Sequence, residues 1–156
     1  MYIRKAAIDD ALMAFAIRRA AIRAQCRDHY PLQDIEKWTS GEMSEVFARR
    51  VADQFYVAVT PEQIVGTGMI DLVTGKIDAV FVAPESMGRG IGRAVMAYLE
   101  GLAIDKGLSD IHLDATLNAA PFYRALGFKG DGRVIYESSL GVSLACVPMI
   151  KQLPGA

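Results

Sequence analysis

The segment from Met87 to Arg93, Met-Gly-Arg-Gly-Ile-Gly-Arg, combines three glycines with two arginines at the start of a predicted helix. Glycine lets backbone N–H groups approach a ligand closely, and the N-terminus of a helix favours negative charge. Arg89 and Arg93 would add side-chain charge for a phosphate group. The combination predicts a site for a phosphate-bearing ligand. The alternative is a turn that only redirects the chain.

The spacing of these glycines excludes two other phosphate-binding motifs. The dinucleotide-binding pattern Gly-x-Gly-x-x-Gly would require glycine at position 93, where the chain has arginine. The P-loop requires Gly-Lys followed by Ser or Thr, whereas Gly75-Lys76 is followed by Ile77. A nucleotide-binding oxidoreductase is therefore disfavoured.

The amino-acid composition limits the classes of protein that remain possible. The chain has 156 residues, 52% hydrophobic and 22% charged, which is enough apolar material for one folded domain over residues 1–156. Its formal charge of -1 gives no bulk attraction to nucleic acid or to an anionic membrane, so we expect neither as a partner. Cys26 and Cys146 form no metal-binding pattern, and we expect no metal. Charged residues interrupt the N-terminal apolar residues, and no apolar run approaches about 20 residues, so we predict a cytoplasmic protein.

Hydrophobic periodicity and turn residues divide the chain into strands and helices. Strands are predicted at residues 2–8, 55–59, 64–72, 76–82, 111–115, 133–138 and 143–150. Helices are predicted at residues 12–25, 32–38, 42–52, 91–106 and 118–126, and the segment from Ser139 to Gly141 would connect the last two strands. The strand–helix–strand order from 76 to 115 indicates a parallel βαβ crossover. We therefore predict an α+β fold with a largely antiparallel sheet of six or seven strands flanked by helices.

Two motifs in this order resemble those of the GNAT N-acetyltransferases. Strand, Val-Ala-Pro-Glu, then Gly-Arg-Gly-Ile-Gly-Arg-Ala and an amphipathic helix is similar to the family's acetyl-CoA-binding motif, Gln/Arg-x-x-Gly-x-Gly/Ala, which falls on Met87, Gly90 and Gly92. The segment Asn-Ala-Ala-Pro-Phe-Tyr-Arg-Ala-Leu-Gly-Phe, which ends at Phe128, resembles the second motif. Methionine stands at position 87 where the family has Gln or Arg, which removes a side-chain contact to the pyrophosphate.

The resemblance implies a small bacterial-type GNAT fold, with a βαβ unit that binds acetyl-CoA as co-substrate. In the family the pantetheine arm pairs with a strand, the pyrophosphate lies on backbone N–H groups, and the fourth and fifth strands splay to admit the arm. The positions implied to bind the cofactor are Val80, Phe81, Val82, Met87, Gly88, Arg89, Gly90, Ile91, Gly92, Arg93, Asn118, Phe122 and Tyr123. For Asn118, a role as the cap of the following helix is the alternative.

Acetyl transfer to an amine requires a neutral nucleophile. A free alkyl amine has a pKa near 10.4, so about one molecule in two thousand is neutral at pH 7, and a general base removes this penalty. Asp78 is the first candidate because, by the resemblance, its strand borders the acetyl group. Strand alternation would place it on one face with Val80 and Val82. A solvent-facing or turn-capping role is the alternative, and weaker candidates for the base are Asp71, Asp114 and His112.

The leaving group is a thiolate, and a phenol can protonate it because a free thiol has a pKa near 8.5 and a phenol a pKa near 10. Tyr123 occupies the family's position for this acid, with a core aromatic as the alternative. For the acceptor site, the segment with His29, Tyr30 and Trp38 could place aromatic and acidic groups around an amine. A surface histidine and a core tryptophan are the alternatives there.

These observations predict an N-acetyltransferase that acts on a primary amine of a small molecule or peptide by direct attack in a ternary complex. Because Met87 departs from the motif, the alternative is a non-catalytic domain that binds CoA or acyl-CoA as a sensor or interaction module. Family members often dimerise through their late strands, so the resemblance also admits a homodimer, although the sequence itself does not define the oligomeric state.

Overall fold

A computed structural model describes residues 1–138 and 140–155. Within these ranges the strands are β1 (Tyr2–Lys5), β2 (Phe55–Val59), β3 (Ile64–Ile70), β4 (Ile77–Val82), β5 (Asp110–Thr116), β6 (Val134–Glu137) and β7 (Ser143–Gln152). The helices are α1 (Ala11–Gln25), α2 (Leu32–Trp38), α3 (Glu45–Gln54), α4 (Ile91–Asp105) and α5 (Ala120–Ala125). This order confirms the predicted α+β fold. The predicted connection at Ser139 lies outside the described residues.

The strands form two sheets rather than one continuous sheet. One sheet has the order β1-β2-β3-β4 and the other β5-β7-β6, with antiparallel pairing throughout. Among the described residues, one isolated parallel bridge, between Lys76 just before β4 and His112 of β5, joins the two sheets. Beyond this bridge β4 is the edge of its sheet, so a gap opens between the two sheets at the carboxyl end of β4.

Helix α4 packs directly on β3 because β3 carries glycines where the two elements meet. A Cβ atom at Gly66 would lie 2.9 Å from Ile91 Cγ2, and one at Gly68 would lie 2.6 Å from Val95 Cγ1. Both distances are too short for a real Cβ atom. Only glycine at these two positions therefore lets the helix lie this close to the sheet. Consequently, the N-terminus of α4 is fixed beside the end of β4, where the glycine-rich segment connects the two.

The opposite face of the first sheet is covered by α1 and α3. Phe47 of α3 stacks edge-on against Phe15 of α1 and Phe55 of β2, with ring centroids 5.4 and 5.6 Å apart. Helix α3 begins later than predicted because the Ser44 hydroxyl accepts a hydrogen bond from Phe47 N and caps the helix there. Within the described ranges, every helix is too short or too polar to span a bilayer.

The N-terminal strand is shorter than predicted. The Asp10 carboxylate accepts hydrogen bonds from Ala7 N at 2.8 Å and from the guanidinium of Arg4 at 2.8 and 3.1 Å. These bonds turn the chain into a 3-10 segment at Ile8–Asp10 before α1. The hydrogen bond from Arg4 is the main reason that the pKa of Asp10 is lowered. Asp10 is also the N-cap residue of α1, although its side chain makes no capping hydrogen bond to that helix.

Candidate active site

The glycine-rich segment adopts a backbone conformation that favours glycine. Gly88 and Gly90 have φ values of 80° and 79°, in the left-handed region. A Cβ atom at either position would meet no atom within 4 Å, so the requirement is conformational and the space beside the segment is open. Gly90 is the N-cap of α4, and the helix begins at Ile91. The first N–H groups of a helix have no partner within it, so they are free to bind an anion.

A cleft of about 520 Å³ lies against this segment, and we call it the glycine-loop cleft. It is lined by Gln25, Val80, Val82, Met87, Gly88, Gly90, Ile91, Gly92, Arg93, Asn118, Ala119, Phe122 and Tyr123. Of the two arginines predicted to contact phosphate, Arg93 lines the cleft, whereas Arg89 is exposed and does not. The Ile91 side chain is buried in the core, so this residue offers the ligand mainly its backbone N–H.

The lining of this cleft leaves room for a narrow ligand beside α5. A Cβ atom at Gly92 would lie 3.4 Å from Phe122 Cζ and 3.7 Å from Val82 Cγ2. Glycine at this position therefore keeps the helix terminus open between the two side chains. A polar cradle of backbone N–H groups at one end and an apolar channel at the other suits a molecule with a pyrophosphate and a long flexible arm, such as CoA.

The outer edge of β4 faces this channel. Val80 and Val82 line the glycine-loop cleft, and Phe81 lines the neighbouring cavity. Between Asp78 and Val82 the strand is paired on one side only, to β3, among the described residues. An exposed strand edge carries free N–H and C=O groups that an extended amide-containing arm can pair with. The predicted role of Val80, Phe81 and Val82 thus fits the geometry.

A β-bulge interrupts β4 and corrects the predicted orientation of Asp78. Asp78 pairs with Met69 and Phe81 pairs with Thr67, so two residues of β4, Ala79 and Val80, stand opposite one residue of β3. Ala79 has a φ of 52°, and its N–H donates to Asp78 Oδ1 at 2.8 Å. Because of the extra residue, Asp78 shares a face with Phe81, and not with Val80 and Val82 as strict alternation predicts.

A second cavity of about 780 Å³ adjoins the cleft, and we call it the inner cavity. Its walls come from α1, α2, α3, α5, the strands β2 to β7 and the segments that connect them, and Asp78 and Phe81 are part of its lining. The cleft and the inner cavity share five lining residues, namely Gln25, Val80, Asn118, Ala119 and Tyr123. The two spaces therefore meet at Tyr123, which borders both.

Tyr123 is 8% exposed, and its ring packs edge-on against Phe122 and Phe128, with centroids 5.1 and 5.8 Å away. Burial, and to a lesser degree the charge of Asp78, raise the pKa of Tyr123 well above the ordinary value. The phenol is therefore neutral and able to donate a proton or hydrogen bond throughout the range in which an enzyme is assayed. A buried ring on a residue that borders both spaces is compatible with both the core role and the catalytic role that the sequence left as alternatives.

The other aspartates and the histidine considered as bases are placed differently. Asp71 accepts hydrogen bonds from Val73 N and Thr74 N in the turn after β3, and it lines neither space. Asp114 lines the inner cavity, but it forms a 2.6 Å ion pair with Lys76. His112 lines neither space. Asp78 is the aspartate of β4 that faces the inner cavity without a cation within 4 Å among the described residues.

Asn118 does not cap α5, because the N-cap of this helix is Ala119 and no side chain caps it. Instead, the Asn118 carbonyl oxygen accepts a hydrogen bond from Cys26 Sγ at 3.3 Å. Cys26 is buried at the end of α1, and burial raises the pKa of its thiol to about 11. The thiol donates to Oδ1, so the Asn118 side-chain amide remains oriented beside both spaces.

Met87 is contacted by a residue that sequence reasoning missed. The Gln25 side-chain amide lies 3.1 Å from the Met87 sulphur, and Gln25 lines both the cleft and the inner cavity. Thus an amide reaches the position where the motif normally has Gln or Arg, but it comes from α1. The two residues are 62 positions apart in the chain, and no local pattern links them.

The structure places two of the three residues predicted for the acceptor site in the inner cavity and the third outside it. Tyr30 lines the inner cavity, where its hydroxyl donates to Ala145 O at 2.5 Å and accepts from Leu117 N at 3.0 Å. Trp38 also lines the inner cavity and lies edge-on to Tyr30, with centroids 5.9 Å apart. His29 is exposed in the turn after α1 and lines neither space, because it is Tyr30 beside it that turns inward.

Gly90→Asp is expected to weaken acetyl-CoA binding by about 10- to 100-fold, the effect of losing charge-assisted hydrogen bonds and adding a like charge. The carboxylate would stand in the open space beside the first N–H groups of α4. The measurement is isothermal titration calorimetry with acetyl-CoA, together with a thermal melt of the free protein.

Gly107→Asp is the matched control for this variant. Gly107 follows the other end of α4 and has a φ of 82°, and a Cβ atom there would also meet no atom within 4 Å, so the strain and the charge change are the same. We expect it to bind acetyl-CoA like the wild type. Wild-type affinity in folded Gly90→Asp would show that the phosphate lies elsewhere.

The comparisons with known proteins agree with this geometry. Residues 26–153 match the family described as an acetyltransferase (GNAT) domain. The chain is 31% identical over 118 residues to YafP of Escherichia coli (strain K12), an uncharacterized N-acetyltransferase, and the match covers 76% of this chain and 73% of YafP.

Two solved structures show the same fold. A GCN5-related N-acetyltransferase from Rhodopseudomonas palustris superimposes with a TM-score of 0.90 at 30% identity, over 97% of this chain and 95% of that one. The PaiA N-acetyltransferase from Thermoplasma acidophilum, solved in complex with coenzyme A, has a TM-score of 0.76 at 20% identity, over 97% and 98% of the two chains. Together with the match over residues 26–153, these likenesses establish that the chain belongs to the GNAT family of acetyltransferases, enzymes that use acetyl-CoA as co-substrate.

Proposed function

We propose that this enzyme transfers the acetyl group of acetyl-CoA directly to a primary amine of a small molecule or peptide, with both substrates bound at once. The observation that carries the proposal is the meeting of the glycine-loop cleft and the inner cavity at Tyr123. A donor in the cleft and an acceptor in the inner cavity would meet there without either having to leave first. This arrangement favours a ternary complex.

In the proposed reaction the amine enters as an ammonium ion and gives up a proton to Asp78, directly or through a water molecule. The amine nitrogen then attacks the thioester carbonyl carbon, a C–N bond forms, and the C–S bond breaks. The Tyr123 hydroxyl donates a proton to the departing thiolate and takes in exchange the second proton of the amide nitrogen, while Asp78 releases the first proton to solvent. The products are an acetamide, CoA with a free thiol, and one proton.

The cysteines in the inner cavity support direct transfer rather than transfer through an acetylated cysteine. Cys26 and Cys146 both line this cavity. Burial raises the pKa of both thiols, that of Cys26 to about 11. Since the thiolate is the nucleophilic form, both are poor nucleophiles near neutral pH.

Initial-rate kinetics test the proposal, with release of the CoA thiol followed over a panel of amines. We expect intersecting double-reciprocal plots, because both substrates must be bound before reaction, and no acetylated protein by mass spectrometry after incubation with acetyl-CoA alone. Parallel plots together with an acetylated cysteine would contradict direct transfer.

A thermal melt combined with the thiol-release assay separates the enzyme from a CoA-binding module. Saturating acetyl-CoA should raise the melting temperature by several degrees, since a ligand at 100 times its Kd stabilises by about 2.7 kcal/mol. A clear thermal shift without thiol release from any amine would favour the non-catalytic alternative.

A further inference from the structure

Arg18 projects into the inner cavity from the middle of α1 and is half-buried there. Its guanidinium makes one long hydrogen bond, 3.5 Å, to the carbonyl oxygen of Trp38. Among the described residues no carboxylate lies within 4 Å of it, in contrast to Arg4, which is paired with Asp10 at 2.8 Å. A guanidinium has five N–H donors, so most of those of Arg18 are left for something in the cavity.

Asp78 lines the same cavity and is the carboxylate whose charge acts on this arginine. Burial lowers the pKa of Arg18, and the charge of Asp78 partly offsets that effect. The two groups are therefore close enough to interact through space, but they do not form an ion pair within 4 Å. A cation and an anion thus face the same cavity with a space between them.

The remaining charged residues in the lining do not alter this arrangement. Lys76 and Asp114 neutralise each other in their 2.6 Å pair. Arg50 and Glu42 are exposed, and they contribute one charge of each sign.

We propose that the acceptor is a zwitterionic small molecule, an amine that also bears a carboxylate or phosphate, whose anionic group binds Arg18 while its amine faces Asp78. This inference rests on the proposed function, since it names the substrate class of that reaction. The planar guanidinium matches carboxylate and phosphate groups in a two-pronged geometry. An anion would also compensate the desolvation of Arg18, whereas a polyamine would place a second cation against it.

The test uses three pairs of amines that differ in the anionic group: 4-aminobutyrate and butylamine, phenylalanine and phenethylamine, and O-phosphoethanolamine and ethanolamine. For the wild type we expect kcat/KM for the anionic member of at least one pair to exceed that of its neutral partner by about 10- to 100-fold, the size of a charge-assisted contact. The first two pairs report a carboxylate and the third a phosphate, so the preferred pair identifies the anion.

In Arg18→Gln this preference should fall to about unity, mainly through a higher KM for the anionic amine, and Arg18→Lys should restore part of it. Arg49→Gln is the matched control, because Arg49 is an exposed residue of α3 that contacts Glu45 at 3.8 Å and lines neither space. It should keep the wild-type preference. Melting temperature and acetyl-CoA affinity are measured for each variant to exclude misfolding.

Failure of this inference is distinguishable from failure of the proposed function. Acetylation of both members of every pair at equal rates, or a preference that persists in folded Arg18→Gln, would overturn the inference and leave acetyl transfer intact. If no amine is acetylated, the proposed function fails. Calorimetry of 4-aminobutyrate, phenylalanine and O-phosphoethanolamine with the CoA-loaded protein then decides the inference alone: binding that Arg18→Gln abolishes supports it, and an absence of binding overturns it.

Discussion

Tyr123→Phe is expected to lower kcat by about 100- to 1000-fold while the affinity for acetyl-CoA stays within about twofold of the wild type. The substitution removes the hydroxyl of a residue that borders both spaces and keeps the ring that packs against Phe122 and Phe128. The raised pKa of Tyr123 also predicts how the wild-type rate depends on pH. Because the phenol stays protonated above its ordinary pKa, the wild-type rate should show no loss from tyrosine ionisation up to about pH 10.

The measurement is steady-state thiol release from pH 6 to about pH 10, with calorimetry of acetyl-CoA binding for each variant. Tyr98→Phe is the matched control, since Tyr98 lies on α4, is 37% exposed and lines neither space. It should retain the wild-type kcat. If folded Tyr123→Phe also keeps the wild-type kcat, the thiolate leaves without help from this hydroxyl, and the role of Tyr123 is confined to packing.

The parts of the site that depend on local sequence could be predicted. The apolar periodicity of α4 and the glycines before it define a helix N-terminus, and the helix Ile91–Asp105 does begin directly after Gly90. The order of strands and helices follows from turn residues in the same way. Backbone conformation and amphipathic pattern are properties of a few neighbouring residues, so a single sequence contains them.

The bulge in β4 could not be predicted, because its left-handed residue is Ala79 rather than glycine, asparagine or aspartate. Nothing in the segment Ile-Asp-Ala-Val-Phe-Val distinguishes it from a regular strand. The bulge depends instead on the pairing with β3 and on the hydrogen bond from Ala79 N to Asp78. Because of the extra residue, Asp78 lies on the other face of β4 and lines the inner cavity. Asp78 therefore remains a candidate base, although the face predicted for it is wrong.

Contacts between residues far apart in the chain could not be predicted from the sequence either. Cys26 donates to Asn118 across 92 positions, and Gln25 reaches Met87 across 62. Both contacts arise because the C-terminal end of α1 lies beside the glycine-rich segment and the start of α5. The sequence shows that Met87 departs from the family's Gln or Arg. The neighbouring amide of Gln25 is found only from the position of α1 in the folded structure.

Asp78→Asn is expected to lower kcat/KM for the amine by about 100-fold at pH 7, with a deficit that shrinks as the pH rises. Without the base, the reaction depends on the amine that is already neutral, and this fraction grows about tenfold per pH unit below a pKa near 10.4. The variant should therefore gain about tenfold in rate per pH unit from pH 7 to 9, whereas the wild type should rise less steeply. Asparagine keeps an oxygen that can accept the hydrogen bond from Ala79 N, so the bulge is retained.

Two further variants separate the role of Asp78 in proton transfer from its role in the bulge. Asp105→Asn is the matched control for the loss of a carboxylate, because Asp105 is exposed at the end of α4 and should show the wild-type pH profile. Asp78→Ala removes both the carboxylate and the acceptor for Ala79 N. If Asp78→Asn keeps the wild-type profile while Asp78→Ala is impaired, the carboxylate shapes the strand and the proton leaves by another route. A steeper pH dependence in both variants, at unchanged acetyl-CoA affinity, assigns proton removal to Asp78.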